Sequence, residues 1–185
     1  MSSSATIVNG VDVNALKGTI EAVRALSPDI VIEVLTPDFN DSDESIGVVL
    51  LAGPHIFNHN LETVRRLTAS VRHRATYDRS LSVLGKVKAR GGESIYTKSG
   101  LMLGLGETEE ELFEALGDLR KVGCDLLTLG QYLQPTLRHL PVVEFVRPAK
   151  FAAYKEVAEG MGFRHVASGP MVRSSYHADE FRFNR

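Results

Sequence analysis

Short apolar runs alternate along this chain with longer stretches in which apolar residues recur every three or four positions. Residues 30–35 and 46–52 read as buried strands, and 96–103 and 125–129 follow. Each run is short, apolar and closed by glycine or polar residues. Amphipathic helices lie between them. Leu16, Ile20, Val23 and Leu26 share a face, and Pro28 stops that helix. Leu61, Val64, Leu67 and Val71 share another, with Asn60 as the expected cap. Leu81, Leu84 and Val87 follow Asp78, and Gly91-Gly92 ends their helix. The clearest helix is 108–122, where Thr108 and Glu111 form a capping box. There Leu112, Ala115, Leu116, Leu119 and Val122 make one stripe, and Gly123 terminates it. Pro148 opens a last helix carrying Phe151, Tyr154, Val157 and Met161.

Strands and helices in alternation predict an α/β fold with parallel strands and right-handed crossovers. The pattern is satisfied by a doubly wound sheet or by an arc of a (β/α) barrel. In both, chemistry sits on the loops after the strands' carboxyl ends. Those loops are Thr36-Pro37-Asp38-Phe39, residues 53–60, Gly104-Leu105-Gly106-Glu107 and Gly130-Gln131-Tyr132-Leu133-Gln134-Pro135.

Composition narrows the function classes. The 185 residues suffice for one domain with a core, and 43% hydrophobic content argues against disorder. A net charge of −2 supplies no steering field for nucleic acid or an anionic membrane. The longest apolar runs are too short to span a bilayer. The start Met1-Ser2-Ser3-Ser4-Ala5 lacks the charged and apolar regions of a secretory signal, so the cytoplasm is the expected setting. Cys124 is the only cysteine, which rules out an internal disulfide and a cysteine-built metal site within these residues.

Candidate chemistry concentrates on the loops and the tail. Asn60 and Glu62 are placed to grip a ribose diol, the amide donating and the carboxylate accepting; a helix cap with a first-turn acid is the competing reading. The turn 104–107 lets backbone approach a ligand, or is simply a tight strand-to-helix turn, and it is not a full dinucleotide motif. Lys98, in an apolar strand, needs an ionic partner or a pocket. Gln131 and Gln134 flank Tyr132 at the same mouth. The tail Arg173-Ser174-Ser175-Tyr176-His177 is crowded with reactive side chains.

Taken in order, several segments resemble lipoyl synthase, a radical S-adenosylmethionine family. They are Phe57-Asn58-His59-Asn60-Leu61-Glu62-Thr63, Thr97-Lys98-Ser99-Gly100-Leu101-Met102-Leu103-Gly104-Leu105-Gly106-Glu107-Thr108, Leu127-Thr128-Leu129-Gly130-Gln131-Tyr132-Leu133-Gln134-Pro135, His139-Leu140-Pro141-Val142 and Gly169-Pro170-Met171-Val172-Arg173-Ser174-Ser175-Tyr176-His177-Ala178. The resemblance runs from about residue 30 to residue 179, and residues 1–29 form a poorly matching, helical segment. It implies a partial (β/α) barrel of which 30–185 is the C-terminal part. It implies insertion of two sulfur atoms into an octanoyl chain on a lipoyl carrier domain or glycine cleavage H protein, with a protein reductant. It implies S-adenosylmethionine and two [4Fe–4S] clusters, one generating a 5′-deoxyadenosyl radical and one donating sulfur. By the same resemblance Ser175, with Ser174 as second choice, ligates the auxiliary cluster, Arg173 steadies it, and Asn60 and Glu62 bind ribose. Lys98 and Gln131 are pocket candidates.

The family's two cysteine triads are missing from the sequence, and Cys124 reads as a buried apolar residue. The chain therefore reads as the second half of a lipoyl synthase, active when a cysteine-bearing portion is supplied. The alternative is a non-catalytic remnant or split subunit that binds S-adenosylmethionine or the carrier domain.

Overall fold

A computed structural model describes residues 7–8, 11–72 and 74–174. A two-stranded hairpin, β1 (Ile7–Val8) and β2 (Val11–Asp12), leads into α1 (Val13–Leu26). Then follow β3 (Glu33–Leu35), α2 (Asp43–Leu51), β4 (Ile56–Asn58), α3 (Arg65–Val71), α4 (Tyr77–Gly91) and β5 (Tyr96–Leu103). The series ends with α5 (Glu109–Lys121), β6 (Leu126–Gln131), α6 (Pro148–Gly160) and β7 (His165–Gly169).

β3 to β7 form one parallel sheet whose spatial order equals their chain order. This decides between the two architectures left open by the pattern. Adjacent parallel strands joined by right-handed crossovers put every helix on one face, whereas a doubly wound sheet must reverse its order. Side chains confirm the asymmetry. Leu101 and Leu103 of β5, Leu127 and Leu129 of β6 and Val166 of β7 pack against Leu84, Leu112, Leu116, Leu119, Phe151 and Tyr154 of the helices. The alternate positions Lys98, Gly100, Thr128 and Gly130 are polar or small and face away from that core, as the two-residue period of a strand requires. A second cluster joins Val13 and Ile20 of α1, Ile46 and Val49 of α2 and Val83 and Val87 of α4.

The helices at 108–122 and from Pro148 form as expected. Thr108 accepts from the Glu111 N–H while the Glu111 carboxylate accepts from the Thr108 N–H. Three elements differ from the sequence reading. The run 46–52 is not a strand but the body of α2, where Ser42 accepts from the Ser45 N–H and Asp43 and Glu44 fill the first turn. An apolar, β-branched run of this length has no periodicity that separates buried helix from buried strand. Helical spacing lets Ile46 and Val49 enter the core together while Leu51 stays exposed. The strand lies instead at Ile56–Asn58. Asn60 is not a helix cap: α3 begins at Arg65 after an uncapped Val64. The helix expected to carry Leu61 with Val64, Leu67 and Val71 therefore excludes Leu61, and β7 at the far edge ends at Gly169, paired to β6 in register Gly130↔Gly169.

Candidate functional site

A cleft of about 400 Å³ opens at the carboxyl ends of the central strands. Asn60, Glu62, Gly100, Thr128, Gly130 and Gln131 line it, with Arg173 and Ser174 from the tail. It falls where this architecture places chemistry.

A bulge builds its first wall. Asn58 pairs with Lys98, and the next bridge joins Glu62 to Leu101. Four steps on one strand therefore oppose three on the other. Glu62 absorbs the extra residue in the left-handed region, at φ 71°. Its N–H donates to the Gly100 carbonyl (2.9 Å), and its carbonyl accepts from the Met102 N–H (2.8 Å). A bulge re-aims the side chains it carries, and this one turns Asn60 and Glu62 together into the cleft. Burial raises the Glu62 carboxyl above its usual range, opposed by a hydrogen bond with the Asn60 side chain and by the Arg72 charge. The Asn60 Oδ1 is buried and has no hydrogen-bond partner among the described residues. A Cβ on Gly100 would lie 2.5 Å from the Thr128 hydroxyl and 3.0 Å from Asn60 Oδ1, so only glycine leaves both groups in place.

The opposite wall is the tail. At Gly130 a Cβ would strike the Val172 carbonyl, so glycine lets the chain after β7 cross the strand end closely. The turn Gly169–Val172, closed by the Val172 N–H on the Gly169 carbonyl (3.1 Å), then delivers Arg173 and Ser174 to the cleft. Ser175 lies outside the described residues.

The other predicted site residues are otherwise engaged. Lys98 is buried and contacts both Glu33 carboxylate oxygens at 2.9 and 3.0 Å, and Asn58 donates to the same carboxylate at 2.7 Å. Lys98 sits two residues before Gly100 on β5 and does not line the cleft. Gln131 lines the cleft but spends its amide on the following loop. It donates to the Tyr132 and Glu144 carbonyls (2.9 and 3.0 Å) and accepts from the Val146 N–H (2.9 Å). The 104–107 turn is closed from within, because the Glu107 carboxylate accepts from the Gly104 and Leu105 N–H groups (2.6 and 2.9 Å). Cys124 is fully buried, and burial pushes its thiol up to about 12. Among the described residues no group of His, Cys, Asp and Glu side chains is arranged to hold a metal ion, and no helix is long and apolar enough to cross a membrane.

Thr128 and Glu33 were missed from sequence. Thr128 was legible, since Leu127-Thr128-Leu129-Gly130 alternates and puts Thr128 beside Gly130 on one face. Glu33 was not, since its partner is 65 residues away.

The radical SAM superfamily model matches residues 6–119. Lipoyl synthase 2 of Gloeobacter violaceus (strain ATCC 29082 / PCC 7421) is 59% identical over 162 residues, which cover 88% of this chain and 56% of that protein. The chain belongs to the radical SAM superfamily. Lipoyl synthase of Anaeromyxobacter sp. (strain Fw109-5) is 56% identical over 163 residues, 86% of this chain and 55% of its own length. The chain thus spans little more than half the length of these lipoyl synthases. Streptococcus suis SuiB, solved bound to S-adenosylmethionine, superposes with a TM-score of 0.67 over 95% of this chain and 40% of its own, at 10% identity. That likeness concerns the fold, a radical SAM type of partial barrel.

Proposed function

We propose that this chain provides the S-adenosylmethionine-binding and substrate-facing strands of a lipoyl synthase, which inserts two sulfur atoms into a protein-bound octanoyl chain. The observation that carries the reading is the bulge that sets Asn60 and Glu62 side by side in the cleft with Asn60 Oδ1 unpaired. A vicinal diol suits this pair: its hydroxyls donate to the Glu62 carboxylate and the Asn60 carbonyl oxygen. The part-buried setting strengthens each such bond relative to water. When bound, S-adenosylmethionine supplies a 5′-deoxyadenosyl group for radical chemistry; the chain's own share is to hold and orient its sugar.

The iron–sulfur clusters do not fit the residues present. The one cysteine of the sequence is buried, its Sγ lies 3.4 Å from the Leu126 carbonyl, and a three-thiolate site needs three such side chains. Cluster thiolates therefore come from outside these 185 residues, from a cysteine-bearing polypeptide. The role of Ser175 as an oxygen ligand, with Arg173 beside it, stands as part of this proposal. The proposed partners are an octanoylated lipoyl carrier domain or glycine cleavage H protein and a protein reductant. The proposed setting is the cytoplasm, a compartment that keeps thiols reduced.

The test is equilibrium binding of S-adenosylmethionine to the chain with and without a polypeptide carrying both cysteine triads. Conversion of octanoyl to lipoyl carrier protein is then read by mass. Binding that drops in Asn60→Ala, with conversion only in the complemented mixture, supports the reading. Binding without any conversion selects the alternative of a non-catalytic binding subunit, and no binding in either mixture sinks both.

A further inference from the structure

His59 lies next to the cleft pair, yet neither the site nor the proposed chemistry uses it. It is almost fully buried, as are Thr36 and Ser80 around it. Its Nδ1 lies 2.9 Å from the Thr36 carbonyl oxygen and its Nε2 lies 3.0 Å from the Ser80 hydroxyl. A carbonyl only accepts, so this network assigns the proton to Nδ1 and makes Nε2 the acceptor of the Ser80 hydroxyl proton. Ser80 Oγ in turn accepts from Arg72 Nη1 at 3.3 Å, and the same nitrogen donates to the Asn60 carbonyl at 2.7 Å.

We infer that His59 is a positioning residue, acting through Ser80 and Arg72 to hold the bulge that aims Asn60 and Glu62. The inference rests on reading those two residues as a ligand-binding pair. The relay ties four separate pieces to one point: the loop after β3, the first turn of α4, the end of α3 and the bulge. The loop after β3 and α4 are also joined by Arg79 on Asp38 and by Ser82 and Lys86 on Asp41, so the relay's particular share is the link from α4 and α3 to the bulge. A left-handed Glu62 persists only where its surroundings over-determine it, and two side chains reach the bulge backbone just before it: Arg72 Nη1 donates to the Asn60 carbonyl, and Ser99 Oγ accepts from the Leu61 N–H at 3.0 Å. Burial and the nearby Arg72 charge depress His59 to about 4, so the imidazole stays neutral and its single proton fixes the direction of every bond in the relay.

Amide hydrogen exchange on the full chain tests this without ligand. Ser80→Ala deletes one oxygen at the middle of the relay and leaves the imidazole in place. His59→Phe keeps a flat aromatic ring, slightly larger, and removes both nitrogens, and Ser80→Thr retains the hydroxyl. Once rates are corrected for global stability from urea unfolding, the Glu62 and Met102 amides should exchange about tenfold faster in Ser80→Ala and His59→Phe. Leu127 and Leu129 in β6 should not change, and Ser80→Thr should match the parent. Glu62 and Met102 changing no more than Leu127 and Leu129 overturns the inference. Titrating the same samples with S-adenosylmethionine separates it from the reading beneath it. Lost protection with affinity at least about fivefold weaker supports both. Lost protection with unchanged affinity, or a parent that binds nothing, leaves the relay standing and removes the ligand role of Asn60 and Glu62.

Discussion

Glu62→Gly should make the ligand-free chain more stable while weakening the site. Glu62 holds φ at 71°, and a side chain there costs roughly 1–2 kcal/mol. Glycine removes that strain but loses roughly 0.5–1 kcal/mol more backbone freedom on folding. The net gain is about 0.75 kcal/mol at the midpoints of these ranges, within about 0–1.5 kcal/mol. Relief of the part-buried carboxyl, whose raised pKa marks an unfavourable setting for its charge, adds in the same direction. At roughly 2–4 °C per kcal/mol for a chain of this size, melting should rise by about 1–4 °C. Glu62→Ala loses the same carboxylate but keeps a Cβ at the strained φ, so it should melt below Glu62→Gly. Both variants should bind S-adenosylmethionine roughly ten- to a hundredfold more weakly, the loss expected for a charged hydrogen-bond acceptor. Scanning calorimetry and titration calorimetry read the two quantities. If Glu62→Gly melts at or below Glu62→Ala, the strain reasoning is wrong, whatever happens to binding.

Lys98→Met leaves Glu33 charged and part-buried and should cost about 3–5 kcal/mol in urea unfolding, whereas Lys98→Met with Glu33→Leu should recover much of it; equal losses would show that the ion pair is not what matters. His59 takes up a proton more easily unfolded, near 6.5, than folded, near 4. Its contribution is therefore complete above 6.5 and is lost as pH falls toward 4, by about 3 kcal/mol in all. The slope of stability against pH in that window should flatten in His59→Phe, and an unchanged slope would assign it to other groups. Cys124 should react with a disulfide thiol reagent only as fast as the chain opens, since its thiol is buried and its pKa is near 12. A native reaction rate that doubles with doubled reagent and is unaffected by stabilising salt would contradict that.

Local rules were enough for much of this chain. The capping box at Thr108 and Glu111, the proline at the start of α6 and the short apolar runs of β5 and β6 each settle a conformation over a few residues. The ordered motifs carry the resemblance to lipoyl synthases, and the spacing of Asn60 and Glu62 already marks a pair on one face. Other features needed distant residues. Whether 46–52 is helix or strand depends on which side chains α1 and α4 present to it, because its own pattern suits either. Asn60 became a cleft residue rather than a cap only because β5 pairs one residue out of step and forces a bulge at Glu62. Glu33 met Lys98 through strand order, and His59 met Ser80 and Arg72 through helix packing. Short-range backbone preferences are written in neighbouring residues. Electrostatic partners across a parallel sheet are set only when crossovers bring strands from far along the chain side by side.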